Sequence, residues 1–229
     1  MDSPFHWLGI CCIIEPVTKG VRSEERKNDR VRNMTGKGSG KMGKKLSEMS
    51  LEELWELFPI VLTEHQEVWK SWYEAEEKRL REILGPKGLK RISHIGSTAV
   101  PSIWAKPIID MLVEIGHSVR MEEVRGALEN CGYLCMSESS GRMSFNRGYT
   151  EKGFAEQVFH LHLRYEGDNR EIIFREYLTE HPETAKEYER LKLELWERFR
   201  HDRDGYTEAK TDFVEKYTKL AEQKRKQLL

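Results

Sequence analysis

Two short stretches combine a helix-capping pattern with an apolar run that follows it. The boxes Ser50-Leu51-Glu52-Glu53 and Thr63-Glu64-His65-Gln66 each predict the start of a helix. The first helix is expected to end before Pro59, and the second to continue to about Leu84. Apolar side chains of the second helix recur at roughly 3.6-residue spacing: Val68, Trp69, Trp72, Tyr73, Leu80, Ile83 and Leu84. We therefore expect these aromatic residues to lie in the core rather than to stack on bases.

The middle of the chain alternates between apolar strand patterns and one helix. Strands are predicted over residues 89–95, 107–115, 133–138, 142–147 and 158–165, and a helix over 121–131. The last strand alternates most clearly, with Phe159 and Leu161 on one face and His160 and His162 on the other. One face of this strand is therefore expected to be apolar and the other polar.

The last part of the chain has a helical pattern over residues 169–180, 182–200 and 207–226, with Pro182 at a first helical position. After the short capped segment that ends before Pro59, the order of elements is α-β-β-α-β-β-β-α-α-α. This order predicts an α+β fold, in which helices flank a mixed β-sheet and a helical segment forms the C-terminus. We expect residues 49–229 to form this single domain.

Charge is distributed unevenly along the chain. Residues 19–45 contain ten Lys or Arg against three Asp or Glu, giving +7, whereas residues 46–229 contain 28 against 34, giving −6. The Gly/Lys/Ser-rich composition of the first segment cannot offset its ordering entropy by burial, so residues 1–48 are predicted to be a disordered basic tail. The net charge of −1 argues against a dedicated nucleic-acid binder.

Cysteine usage and hydropathy favour a cytoplasmic protein. The four cysteines, Cys11, Cys12, Cys131 and Cys135, lack zinc-finger spacing, and we expect reduced thiols. The apolar run from Trp7 to Ile14 is too short to span a bilayer and lacks the features of a secretory signal. No membrane segment is predicted.

The stretch that carries chemistry is His94-Ile95-Gly96-Ser97-Thr98-Ala99-Val100-Pro101, followed by Ala105-Lys106-Pro107-Ile108-Ile109-Asp110. It predicts a strand, a tight glycine turn and a second strand that carries a carboxylate. A Gly-Ser turn exposes backbone N–H groups and a hydroxyl, which suits a phosphate group. An aspartate on the next strand suits a divalent cation beside that phosphate.

With these residues the sequence resembles the GrpB-like family of the nucleotidyltransferase superfamily. The resemblance extends from about Leu51 to Ala221 and includes His160-Leu161-His162-Leu163 and Asp202-Arg203-Asp204-Gly205-Tyr206-Thr207. It implies a nucleotidyltransferase-like fold, with a catalytic centre at Asp110 and Ser97 and a phosphate cradle at Gly96, Ser97 and Thr98. Mg²⁺ is the implied cofactor, with Mn²⁺ or Zn²⁺ as alternatives.

The sequence departs from the superfamily pattern at the second carboxylate. The pattern expects an acid two residues after Asp110, but Leu112 stands there, and the next acid is Glu114. At roughly 3.3 Å per strand residue, Glu114 lies about 13 Å from Asp110, beyond the roughly 3.5–4 Å separation of a two-metal pair. We expect Asp110 to act without Glu114.

Further candidates surround this centre. His160 and His162 share a strand face and are expected to contact the substrate, to join Asp110 as metal ligands, or only to form hydrogen bonds in a polar cleft. Lys106, Arg142 and Arg147 are candidate phosphate ligands, and solvated surface charge is the alternative for each.

Three functions remain open on the sequence. The first is a nucleotidyltransferase-type transferase that binds a nucleoside triphosphate and a divalent metal. The second is a binding module for a nucleotide or phosphorylated metabolite without turnover, which Leu112 favours. The third is a helical interaction protein that binds a partner through residues 191–229. The expected ligand is a small molecule, and neither nucleic acid nor membrane is an expected partner.

Overall fold

The computed structural model describes residues 44–227. Helix α1 (Leu51–Leu57) begins at the predicted capping box. The Ser50 hydroxyl accepts a hydrogen bond from the backbone N–H of Glu53 at 3.3 Å, and the Glu53 carboxylate accepts one from the N–H of Ser50 at 2.6 Å. A 3-10 turn, Leu46–Glu48, precedes this box. Residues 1–43 of the predicted tail lie outside the described residues.

The second helix starts later than its capping pattern predicts. Helix α2 spans Val68–Leu84, and Thr63 is not its cap. The backbone of Thr63 instead pairs with Ala105 through two hydrogen bonds of 2.9 Å, which holds it in an extended conformation. The prediction of a helix from Thr63 is therefore wrong, because a tertiary backbone pairing outweighs the local capping pattern.

A five-stranded mixed sheet forms the centre of the molecule. Its strands are β1 (Leu89–Ile95), β2 (Ile109–Ile115), β3 (Leu134–Ser139), β4 (Arg142–Thr150) and β5 (Gly153–Tyr165), in the spatial order β1-β2-β5-β4-β3. Strands β2 and β5 are parallel, and the other neighbours are antiparallel. Helix α3 (Met121–Glu129) connects β2 to β3.

The β4–β5 hairpin is longer than predicted. Strand β4 continues to Thr150 and β5 begins at Gly153, so that only two residues connect the strands. The Thr150 hydroxyl closes the turn by donating to the Gly153 carbonyl at 2.8 Å. The sequence prediction ended β4 at Arg147 and began β5 at Val158. In the structure Gly148 has a φ of +94° and lies where the register of the two strands shifts.

Four helices complete the chain: α4 (Arg170–Glu180), α5 (Pro182–Arg198), α6 (Arg203–Glu208) and α7 (Thr211–Gln227). The prediction of one continuous helix over residues 207–226 is wrong. Asp202 caps α6 by accepting from the Gly205 N–H at 2.8 Å, so this helix begins before Thr207. The chain then tightens through a bond from the Lys210 N–H to the Thr207 carbonyl, and α7 restarts at Thr211.

The two faces of the sheet are covered differently. Helices α2 and α3 pack on one face and enclose the main apolar core, which includes Met111, Phe159 and Leu161. Helix α4 covers part of the other face, where Ile172 packs on Ile95 and Leu112. The predicted α+β fold, with a mixed sheet flanked by helices and a C-terminal helical segment, is confirmed.

Two smaller predictions concern the thiols and membranes. Cys131 and Cys135 are free thiols, and the other two cysteines lie outside the described residues. Among residues 44–227, no helix combines the length and the apolar composition that crossing a bilayer requires.

Candidate functional site

A cleft of about 180 Å³ lies between the sheet and helices α4 to α7. Its floor comes from the Gly96 turn, β2 and β5, and its walls come from the four C-terminal helices. The polar residues that line it are Ser97, Thr98, Lys106, Asp110, His160, His162, Arg170, Glu171, Arg175, Tyr188, Lys192, Tyr206, Thr207, Lys210, Thr211, Glu215 and Thr218. Most residues predicted for the site, from segments up to about 65 positions apart, therefore meet here.

The glycine turn packs directly against the Asp110 carboxylate. Asp110 pairs with Ile95 across the β1–β2 ladder, so the turn that follows Ile95 lies beside it. Gly96 has a φ of +70°, and a Cβ atom there would stand 2.3 Å from Asp110 Oδ2. Both the backbone conformation and the close approach require glycine. Gly96 thus brings the Ser97 turn next to the carboxylate.

Thr98 and His94 support this turn from behind. The buried Thr98 hydroxyl donates to the Ile108 carbonyl at 3.2 Å and lies 3.0 Å from His94 Nε2. The His94 ring stacks on Tyr73 at 4.7 Å, and burial lowers the pKa of His94 to about 4. The Thr98 hydroxyl therefore joins the turn to the strand, in addition to lining the cleft.

A chain of hydrogen bonds leads away from Asp110. His160, its direct partner on β5, places Nδ1 at 3.2 Å from Asp110 Oδ1. The other ring nitrogen, Nε2, lies 2.8 Å from the Tyr149 hydroxyl, and an N–H of Arg203 donates to that hydroxyl at 3.0 Å. Both nitrogens of the His160 ring are therefore occupied by protein groups.

Asp110 and His160 hold complementary protonation states. Burial alone would raise the pKa of Asp110, but the hydrogen bond and charge of His160, with His162 and Lys106 nearby, bring that pKa below its ordinary value. Burial lowers the pKa of His160, although Asp110 opposes the shift. At neutral pH the pair consists of a carboxylate and a neutral imidazole.

Three buried polar atoms of residues that line the cleft have no hydrogen-bond partner among residues 44–227. They are Nδ1 of His162 on the floor, and Oε2 of Glu171 and Nε of Arg175 on helix α4. Burial, with the nearby Arg164 guanidinium, lowers the pKa of His162 to about 3, and burial raises the pKa of Glu171. Ligand groups or water molecules that form hydrogen bonds would satisfy these atoms.

Lysine side chains surround two buried tyrosines on the helical wall. The ammonium groups of Lys106 and Lys210 lie 5.2 and 4.2 Å from the centre of the Tyr206 ring, and that of Lys192 lies 4.9 Å from the centre of Tyr188. Lys192 donates to the Trp104 carbonyl, and burial lowers its pKa to about 7, an effect that Lys106 reinforces. This wall of the cleft favours an anionic ligand.

Two predicted phosphate ligands lie elsewhere. Arg142 forms a bidentate ion pair with Asp168, at 2.6 and 2.7 Å, near the far end of the sheet. Arg147 lies on the opposite face, where it pairs with Glu76 and its guanidinium stands 4.5 Å from the centre of the Phe159 ring. An odd separation along a regular strand places the two arginines on opposite faces. Neither lines the cleft.

The position of the missing second carboxylate is closed. Leu112 is fully buried and packs with Ile95 and Ile172. Glu114 is also buried but serves another part of the structure, because it pairs with Arg91 and accepts hydrogen bonds from Gly167 and Asn169. Glu114 does not line the cleft, in agreement with the expectation that Asp110 acts without it.

The side chains that line the cleft fit Mg²⁺ or Mn²⁺ better than Zn²⁺. Within residues 44–227, no three His, Cys, Asp or Glu side chains are grouped as metal ligands. The predicted set of Asp110, His160 and His162 does not form a Zn²⁺ site, because both nitrogens of His160 already have partners. Asp110 fits Mg²⁺ or Mn²⁺ that is held mainly by water and phosphate oxygens, as hard cations prefer.

Several residues that line the cleft or connect to it were not predicted as site residues. Lys192, Glu171 and Tyr188 lie on amphipathic helices, where their burial depends on packing that periodicity alone does not define. Tyr149 lies near the hairpin end of β4, and Arg203 lies in the six-residue helix α6. The only signal for Arg203 was its place in the segment Asp202–Thr207, which contributed to the family resemblance.

Comparison with known proteins identifies the family. The family model described as "GrpB protein" matches residues 59–220, which include β1 to β5 and the cleft. This chain belongs to the GrpB family. Residues 59–220 contain all the predicted site residues and most of the C-terminal helices, so the cleft lies within the family's own domain.

Individual GrpB relatives agree with this assignment. The glutamate-rich protein GrpB of Alkalihalophilus pseudofirmus is 36% identical over 162 residues, which cover 68% of this chain and 92% of that protein. The UPF0157 protein YqkA of Bacillus subtilis is 32% identical over 153 residues, 66% of this chain, but this match spans only 43% of YqkA. The crystal structure of GrpB from Enterococcus faecalis matches with a TM-score of 0.64 and 32% identity, covering 72% of this chain and 99% of that one.

Proposed function

We propose that the cleft binds a small phosphorylated molecule, with a nucleoside triphosphate and Mg²⁺ as the first candidate. The observation that carries this proposal is the contact between the Gly96-Ser97 turn and the Asp110 carboxylate, in a cleft that Lys106, Lys192 and Lys210 also line. A turn that offers N–H groups and a hydroxyl suits phosphate oxygens, and a neighbouring carboxylate suits the cation that accompanies them.

The lining residues divide this task. Ser97 lies at the turn, and Tyr188 lines the cleft with it. Lys106, Lys192 and Lys210 neutralise negative charge of the ligand. Asp110 is held as an anion by His160, ready to accept hydrogen bonds or a cation. Mg²⁺ bound with the phosphates would withdraw further charge from them.

Binding is better supported than nucleotidyl transfer. Transfer through two metals needs two or three carboxylates around the reacting phosphate. Here Leu112 is buried under Ile172, and the facing positions of β5 carry His160 and His162. One carboxylate can support binding with one cation, but it does not provide the second metal position.

Nucleotidyl transfer remains the second candidate, because Asp110 and Ser97 are adjacent in the cleft. Lys192 offers a group that is partly neutral near pH 7, and such an amine can accept a proton from an attacking hydroxyl. The separate hypothesis of a partner-binding C-terminal segment remains a prediction. Much of that segment already packs against the rest of the domain, since Phe213 and Val214 contact the cluster around Val100 and Ile103.

Calorimetry with ATP, GTP, CTP and UTP, each with and without Mg²⁺ or Mn²⁺, tests binding. We expect heat with at least one nucleotide and a stronger signal with the metal. Inorganic pyrophosphate and a set of sugar phosphates extend the test to other phosphorylated ligands. Absence of heat with all of these compounds would contradict the proposed function.

Incubation with a labelled triphosphate and a pool of metabolites then separates the two candidates. We expect binding without release of pyrophosphate. Release that depends on Asp110 and on an added acceptor would instead establish the transferase and identify its acceptor. The matched control is Glu114→Gln, which changes a buried carboxylate outside the cleft.

A further inference from the structure

We infer that Tyr149 and Arg203 are positioning residues that hold His160 in one tautomer and thereby orient the Asp110 carboxylate. The inference rests on the proposed function only for its consequence in ligand binding. Its structural content rests on a linear chain of contacts from Arg203 to Tyr149, His160 and Asp110. Neither Tyr149 nor Arg203 lines the cleft, so both act through His160.

The direction of every hydrogen bond in the chain follows from the groups involved. A carboxylate only accepts, so His160 Nδ1, which lies 3.2 Å from Asp110 Oδ1, carries the proton and donates. In a neutral imidazole Nε2 is then the acceptor, and the Tyr149 hydroxyl donates to it. A guanidinium has only donors, so the oxygen of the Tyr149 hydroxyl accepts from Arg203. Each group in the chain therefore donates a hydrogen bond to the next, from Arg203 through Tyr149 and His160 to Asp110.

The carboxylate is constrained from two sides as a result. Nδ1–H of His160 holds Oδ1 of Asp110, and the Gly96 backbone packs close to Oδ2. If His160 adopted the other tautomer, the lone pair of Nδ1 would face the carboxylate and repel it. The tautomer therefore determines whether Asp110 keeps the orientation that it has beside the Gly96 turn.

A backbone irregularity brings Tyr149 to the correct face of the sheet. Arg147 pairs with Phe159, on the side of the main core, whereas Tyr149 pairs with Phe154 after the register shift. In a regular strand Tyr149 would share the face of Arg147. Gly148 permits the shift, because a Cβ atom there would stand 2.4 Å from the carbonyl oxygen of Gln157. The irregularity directs the Tyr149 hydroxyl to His160.

Arg203 reaches the chain from helix α6. Arg203 is 96% buried, and its guanidinium stands 5.7 Å from the centre of the Tyr149 ring and 5.8 Å from that of Phe154. The Asp202 cap orients the first turn of α6, where Arg203 is the first residue. The short helix that interrupts the predicted C-terminal helix therefore supplies the donor at the start of the chain.

The first test reads the tautomer directly and requires no ligand. Long-range ¹H–¹⁵N spectra of the full chain at neutral pH should show that His160 has a protonated Nδ1 and an unprotonated Nε2. Tyr149→Phe removes only the hydroxyl and should convert this signal to a mixture of tautomers. Tyr165→Phe is the matched control, because the Tyr165 hydroxyl bonds to the Val119 carbonyl away from the cleft. Its spectrum of His160 should equal that of the parent protein.

The second test measures binding of the nucleotide that gives the strongest heat with Mg²⁺. Tyr149→Phe should weaken that binding about three- to tenfold, the usual effect of one lost hydrogen bond, and Tyr165→Phe should leave it unchanged. His160→Asn retains a side-chain N–H donor near the Nδ1 position and should bind more tightly than His160→Gln. This difference tests whether the Nδ1–H donor of His160, through which Tyr149 is proposed to act, supports ligand binding.

Three results would overturn the inference. They are a protonated Nε2 in the parent protein, an unchanged tautomer in Tyr149→Phe, or equal binding by His160→Asn and His160→Gln. If Tyr149→Phe does not fold, Arg203→Met removes the donor to the Tyr149 hydroxyl instead. The same spectra and binding measurements then apply to that variant. If no phosphorylated ligand binds, the proposed function fails, but the spectra still decide the inference.

Discussion

The two faces of strand β5 have different roles in this protein. On one face Phe159, Leu161 and Leu163 are almost completely buried against α2, α3 and the neighbouring strands. On the other face His160 and His162 are also more than 90% buried, but they line a cleft and connect to charged groups. Equal burial therefore does not mean an equal role. The first face stabilises the fold through apolar contact, and the second maintains a polar arrangement that the fold has to support.

This difference shows which changes should affect stability and which should affect binding. Apolar side chains in a packed core contribute through the area that they remove from water and through close packing. Polar side chains in the cleft contribute little net stability, because burial costs them their hydration. Substitutions on the two faces should therefore separate the free energy of unfolding from ligand affinity.

The largest effect is expected on the apolar face. Leu161→Ala removes a fully buried side chain and should lower the free energy of unfolding by about 2–5 kcal/mol. Urea denaturation measures this loss, and the affinity for a phosphorylated ligand, measured well below the unfolding transition, should stay within about twofold. A large loss of affinity in the folded variant would show that the two faces are not separable.

Gly96→Ala should lower both the free energy of unfolding and the ligand affinity. The substitution places a Cβ atom against Asp110 Oδ2 at a position with positive φ, so we expect a loss of about 1–3 kcal/mol and no measurable ligand binding. Gly167→Ala is the matched control, since Gly167 has a φ of +96° but open space around its Cβ position. Equal effects of the two variants would mean that backbone strain, and not contact with Asp110, explains the result.

Asp110→Asn should act on binding alone. We expect affinity in the presence of Mg²⁺ to fall roughly 10- to 100-fold, because the neutral amide no longer attracts a cation, while stability changes by less than about 1 kcal/mol. Glu114→Gln should show the opposite pattern, because Glu114 holds Arg91, Gly167 and Asn169 outside the cleft. Urea denaturation and calorimetry on the same samples check both. Loss of Mg²⁺-dependent binding in Glu114→Gln would contradict this division.

The smallest expected effect is a pH dependence from Lys192. With a pKa of about 7 in the free cleft, its amine loses charge as the pH rises, whereas a bound phosphate favours the ammonium and raises this pKa. Binding should take up protons, and affinity should fall roughly tenfold between pH 7 and pH 8.5. Calorimetry in buffers of different ionisation enthalpy measures the uptake. Lys192→Met should abolish the proton uptake. If the affinity of this variant still falls as the pH rises, another group takes up the proton.

The sequence indicated the main site because its signals are local. Gly96 and Ser97 follow an apolar strand, and Asp110 lies within the next one, so the strand-turn-strand pattern already places the turn near the carboxylate. His160 and His162 were assigned to one face by simple alternation. Arg142 and Arg147 were also plausible from their residue type. Their actual partners, Asp168 and Glu76, lie far from them in the chain, and no local pattern could identify them.

By itself the sequence determined the α+β class, the order of the five strands along the chain, the cap at Ser50, and the apolar and polar faces of β5. These properties depend on spacings of two to four residues, which repeat wherever a helix or strand buries one side. Only the tertiary structure decided that Thr63 pairs with Ala105, that Gly148 turns Tyr149 toward His160, and that a separate α6 brings Arg203 to the same chain. Such contacts depend on register and packing between distant segments, where small shifts change which groups meet.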